Sequence, residues 1–181
     1  MSEQPGRYQR STSGMVGALL VTLLVILTFV GFRACTNSND EVRPQHVDYL
    51  AQIGFAQQAG ADLAYPATLP SGWYVTRVDY TPGRRPELGL SMLTPGNEYA
   101  GVRESPLPLP ELLTTYVDLH PTAGDPVTLD SGLVTRWQTW TDSGGDTALT
   151  AHWHHESLMV FGSATRTELE AVASALTAKR L

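Results

Sequence analysis

Two imidazoles in the run His152-Trp153-His154-His155 are the side chains of this chain best suited to chemistry. On a strand, alternation puts His152 and His154 on one face, about 7 Å apart along the chain, where both can ligate one zinc or copper ion if a third ligand comes from elsewhere. Glu156, Asp142 and Asp146 are the candidate oxygen partners. The plain alternative is solvated surface beside a turn, so the histidines are weak metal candidates.

Nucleophilic catalysis has thinner support. Ser163, in Phe161-Gly162-Ser163-Ala164, lacks the second glycine of a nucleophile elbow and reads as a turn residue ahead of a helix cap at Thr165. Cys35 is the sole cysteine, which excludes an internal disulfide and leaves an interfacial thiol that is idle, lipidated or paired between chains. Gly144-Gly145 lies between Ser143 and Asp146 with no helix after it, so it is no phosphate loop. No cofactor is expected. Trp73, Trp137, Trp140 and Trp153 offer stacking surfaces for sugar rings, but alternation sends Trp137 and Trp140 to opposite faces, and at least one of them belongs to a core.

The elements that must position these residues are mostly short strands. A first helix is expected over 45–59, ended by Gly60. Runs at 74–80, 88–93 and 99–104, divided by Pro82-Gly83 and Pro95-Gly96-Asn97, predict three antiparallel strands. Pro106, Pro108 and Pro110 interrupt pairing, and Pro110 opens a short helix to Asp118. Strands follow at 126–130, 133–141, 147–154 and 158–162, with turns at Ser131-Gly132, Ser143-Gly144-Gly145 and Glu156-Ser157. Thr165 and Glu168 match a capping box, after which Leu169, Val172, Ala173 and Leu176 share one helical face. The fold class expected is α+β: one N-terminal transmembrane helix, then a single domain with a largely antiparallel sheet of about six or seven strands, covered on one side by two or three helices.

The transmembrane element is Met15 to Phe32, eighteen consecutive residues without a charge, between Arg10 and Arg33. Eighteen helical residues cover about 27 Å against a hydrocarbon core of about 30 Å. Its length and the Phe32-Arg33 pair near Ala34 favour an uncleaved signal anchor over a cleaved signal peptide or a lipobox. Arginine counting is nearly balanced across the span. The N-terminal position of the span therefore orients it, with 1–14 as a cytoplasmic tail, 15–33 the anchor, 34–46 a tether and 47–181 an extracytoplasmic domain. Beyond Cys35 there are 17 acidic and 9 basic residues, a balance that repels nucleic acid.

Val47-Asp48-Tyr49, Leu69-Pro70-Ser71-Gly72-Trp73, Tyr99-Ala100-Gly101-Val102 with Glu104-Ser105, and Val160 to Ala164 before Glu168-Leu169 carry a resemblance over the whole chain. They resemble the landmarks of an uncharacterised actinobacterial family of single-pass membrane proteins with an extracytoplasmic domain of unknown function. That resemblance implies a domain exposed in the cell envelope and supplies no catalytic residues. The reading is a membrane-anchored envelope protein, a non-enzymatic binding module whose partner is another envelope protein or wall glycan. The alternative is an envelope hydrolase or metal-dependent enzyme with a site around His152 and His154.

Overall fold

The computed structural model describes residues 12–36, 45–130 and 133–181, with side chains of the first helix described at 15–17 and 19–30. The chain divides into two units, Met1–Arg43 and Pro44–Leu181. In the first, helix α1 (Thr12–Thr36) carries the uncharged stretch, and its described apolar side chains, from Met15 to Val30, stand exposed. Among the described residues no helix is long and apolar enough to cross a membrane. The longest unbroken run of described side chains on α1 is 19–30, shorter than the span expected over Met15 to Phe32. The tail before Thr12, most of the tether, the side chain of Cys35 and the Ser131-Gly132 turn lie outside the described residues.

The second unit begins where Asp48 caps helix α2 (Tyr49–Gln58) by accepting a hydrogen bond from the Ala51 amide at 3.1 Å. This cap starts the helix four residues later than periodicity suggests, because a capping aspartate takes non-helical backbone angles. Gly60, at φ 94°, closes the end. The chain then forms β1 (Tyr65–Pro66), β2 (Tyr74–Thr81), β3 (Glu87–Leu93), β4 (Tyr99–Ser105), helix α3 (Leu109–Tyr116), β5 (Thr122–Ala123), β6 (Val127–Thr128), β7 (Arg136–Thr141), β8 (Thr147–Trp153), β9 (Glu156–Gly162), helix α4 (Arg166–Ser174) and β10 (Leu176–Thr177).

Two antiparallel meanders, β2-β3-β4 and β7-β8-β9, join where β4 pairs with β9, Gly101 opposite Phe161 and Glu104 opposite Leu158. The sheet runs β2-β3-β4-β9-β8-β7, and β5 and β6 share the outer edge of β7 as two-residue pieces around Gly124-Asp125-Pro126. A proline there has no amide to donate, which breaks a single edge strand into two. β1 and β10 form a separate antiparallel pair.

Helices cover both faces of the sheet, not one. Leu158 and Val160 of β9 belong to the main core with Ile53 of α2 and Leu169 and Val172 of α4, whereas Met159 and Phe161 pack with Leu112 and Leu113 of α3. The continuous apolar run Leu158 to Phe161 accounts for this, since a central strand buried on both sides needs no polar alternation. The β4–β9 seam is tight. Gly162, at φ 144°, has the Tyr99 carbonyl oxygen 2.2 Å from where a Cβ would stand, while Ser163 Oγ accepts from the Tyr99 amide at 3.0 Å and the Ala164 amide donates to Tyr99 O at 3.0 Å.

Candidate functional site

Glu104 is the carboxylate placed most unusually by the fold. Along β4, alternation sends Ala100, Val102 and Glu104 to the main core, and Glu104 ends 1% exposed. Its Oε2 accepts a 2.7 Å hydrogen bond from the Ala64 amide, in the loop between α2 and β1. Burial pushes the carboxyl up to about 8, against the lowering effect of the Ala64 bond and with further upward pressure from Glu156 and Asp62. A carboxylic acid in that range keeps its proton at neutral pH.

Glu104 lines a cavity of about 790 Å³ at one end of the sheet. Ala59 to Asp62 form one wall, the β2–β3 loop from Pro82 to Pro86 another, and Trp153 to Glu156 of the β8–β9 connection the third, with Tyr80 between. Arg85 ties the second wall to the third. Its Nε donates to Glu156 Oε1 at 2.9 Å and its Nη2 to Glu156 Oε2 at 3.1 Å, with further bonds to the carbonyls of His155 and Pro106. A fork of this type holds two loops in register, although half-exposure of the arginine keeps its net energy small. A second, more open hollow of about 560 Å³ shares Asp62, Trp153 and His154 and reaches Leu176 to Lys179.

Of the two histidines singled out in the sequence, His154 stands at the rim of both hollows and His152 lines neither. β8 ends at Trp153, so His154 lies in the two-residue turn His154-His155, at φ 54°, and strand alternation does not extend to it. Left-handed backbone at the first turn residue usually goes to glycine, and histidine is tolerated there with some strain. His154 stacks on the Trp153 ring, centroids 4.3 Å apart, and His152 projects into solvent opposite Ser157. Glu156 is taken up by Arg85. Asp142 and Asp146 occupy the β7–β8 turn at the far end of β8, about 20 Å away along a seven-residue strand. Among the described residues no three His, Cys, Asp or Glu side chains are grouped to hold a metal ion.

The tryptophans also separate. Trp137 is fully buried in the main core and donates to Val134 O at 2.9 Å, Trp140 is half-buried on the opposite face and donates to Thr150 Oγ1 at 2.8 Å, and Trp73 is buried. Trp153 borders the cavity beside Glu104. Asp62, Tyr80, Arg85 and Glu104 do not stand out in the sequence as a set, since they come from four elements. Glu104 alone left a trace, a charge in the inward phase of β4, which is otherwise filled by Ala100 and Val102.

Apart from Glu104, the sequence landmarks have structural duties away from this cavity. Asp48 caps α2, Tyr49 OH donates to Pro66 O at 2.8 Å, the Pro70 to Trp73 turn closes through Gly72 at φ 78°, and the Tyr99 and Gly162-Ser163-Ala164 segments lock β4 to β9. A family model described as "Protein of unknown function (DUF4245)" matches residues 7–176. The chain belongs to this family. Membership in DUF4245 agrees with the coarser part of the resemblance, a family of unknown function, and assigns no activity to the cavity. No curated protein and no solved structure matches the chain.

Proposed function

We propose that this DUF4245 protein is a membrane-anchored binding module of the cell envelope whose ligand enters the cavity above Glu104. The observation that carries this reading is the cavity itself, where a buried carboxyl, two aromatic side chains and a strapped loop converge on a space large enough for a small molecule or a partner's side chains. The anchor is supported by the uncharged run Met15 to Phe32 in the sequence and by the exposure of its described apolar side chains. An extracytoplasmic place for the domain of residues 47–181 is part of the same proposal, supported by the acidic composition beyond the run. Another envelope protein or wall glycan is the partner proposed.

A photo-crosslinking residue in place of Arg84, at the cavity wall, tests this in intact cells, with the same residue in place of Arg166 on α4 as control. Adducts to envelope protein or glycan from position 84 alone are expected; equal labelling from both positions, or none from 84, overturns the binding reading.

A second reading rests on Glu104. A carboxyl that keeps its proton at neutral pH inside a cavity meets the requirement for a general acid, and Asp62 or Glu156 supplies a second carboxylate for hydrolysis. Release of reducing ends from isolated wall material by the wild type, and none by Glu104→Gln, is the outcome that would favour the hydrolase. The reading of a metal site at His152 and His154 is tested by calorimetric titration with zinc or copper, where heat above that of buffer lost in His152→Ala and His154→Ala would restore it.

A further inference from the structure

The charges and rings around Glu104 select among ligand classes. Oε2 of Glu104 is held by the Ala64 amide, and Oε1 has no hydrogen-bond partner among the described residues although the side chain is almost wholly buried and borders the cavity. The loop around Asp62 adds a second carboxylate to the same cavity. Glu156 adds a third, engaged by Arg85 through both oxygens. Tyr80 and Trp153 contribute partly buried aromatic rings. Carboxylate oxygens beside aromatic rings suit a protonated amine, which pairs with the former and lies on the faces of the latter. An anion gains little here, because Arg85 is committed to Glu156 and Arg84 stands exposed in the loop.

We infer that the cavity binds an organic ammonium group, seated against Oε1 of Glu104 with Asp62 as the second carboxylate and Tyr80 and Trp153 flanking it. This rests on the cavity being the binding site, and specifies the ligand's chemistry. Glu104 enters the complex as a carboxylate: the ligand stays protonated, the carboxyl O–H bond breaks, and the proton leaves to buffer. Because Glu104 is protonated at neutral pH when the cavity is empty, the uptake of a cation is linked to release of about one proton. The groups facing Glu104 divide by sign into Asp62 and Glu156 on one side and Arg84 and Arg85 on the other, with Tyr80, His154 and His155 at the same walls. The charges acting on Glu104 itself are the carboxylates of Glu156 and Asp62.

The test uses the full chain at pH 7 and three probes of matched length, pentane-1,5-diamine, pentane-1,5-diol and pentanedioate, by calorimetry in two buffers of different ionisation heat. The diamine is expected to bind with release of about one proton, and the diol and dianion to bind at least about tenfold more weakly. Glu104→Gln should abolish the proton release and weaken the diamine about tenfold or more. Asp62→Asn, an exposed substitution that leaves the core untouched, should weaken it while proton release from Glu104 persists, which separates ligand loss from misfolding. No diamine binding, equal binding of the diol, or undiminished binding to both variants overturns the inference. Pentanedioate binding lost in Arg84→Gln overturns the ammonium class while leaving the cavity as a binding site, whereas failure of crosslinking from position 84 removes the site itself.

Discussion

Glu104 makes the stability of this protein depend on pH in a direction opposite to that of most carboxylates. Its proton is bound more tightly in the folded state, at about 8, than the ordinary 4.5 of an exposed glutamate. The stabilisation is therefore complete below about 4.5 and is lost as pH rises towards about 8, by up to about 1.4 kcal/mol per unit within that window. Glu104→Gln can still accept from the Ala64 amide and has no proton to lose. Denaturant midpoints at pH 5 and pH 8.5 should therefore fall in the wild type and stay closer together in the variant; parallel falls would refute the assignment. Asp118 works in the other window. Its bonds from the amides of His120 and Ser143 hold it near 2, below the ordinary 3.8, so its contribution is present above pH 3.8 and is lost as pH drops through 2. Two glycines supply a second pair of expectations. Gly162→Ala meets the Tyr99 carbonyl at a left-handed φ and should destabilise by about 1–3 kcal/mol, whereas Gly54→Ala, in α2 with open space around it, should stabilise by about 0.5–1 kcal/mol. Urea titrations of both variants check the sign as well as the size.

Among the elements, the start of α4 was the most legible from sequence, and its reason is local, whereas Leu176, expected on its inner face, lies beyond the helix in β10. Thr165 Oγ accepts from the Glu168 amide at 3.4 Å and Glu168 Oε2 accepts from the Thr165 amide at 2.9 Å, a reciprocal cap written entirely within four residues. Thr165→Ala should lower stability by about 1 kcal/mol without altering the cavity, read as a shift of the thermal midpoint. The long strands are legible for a similar reason, since turn residues and apolar runs mark their limits. β1, β5 and β10 were not, because a two-residue strand has no periodicity and exists only through its partner. The expectation that helices cover one face failed at β9 for a related reason. The run Leu158 to Phe161 needs apolar partners on both sides, but nothing in it says that α3 supplies the second set.

At the scale of the molecule, the proposed anchor and the cavity make separate demands. Fusion of a periplasm-dependent phosphatase reporter to the C-terminus of the full chain should be active, and deletion of residues 12–36 should release the protein from the membrane fraction; an inactive reporter with intact protein reverses the orientation. The long uncharged run, the acidic balance beyond it, the α+β class and the limits of most elements were determined by the sequence alone, because they depend on neighbours a few residues apart. The tertiary structure decided the cavity. Asp62, Tyr80, Arg85, Glu104 and Trp153 come together only when β4 pairs with β9 and two loops close over their ends, and the proton on Glu104 depends on solvent excluded by residues distant in sequence, such as Ala64, 40 positions away, and Leu158 on the paired strand. Hydrogen bonding and exclusion of water at such separations depend on topology, which is why His152 ends in solvent and His154 beside the cavity, while Glu104, inconspicuous in its strand, lines it from a buried position.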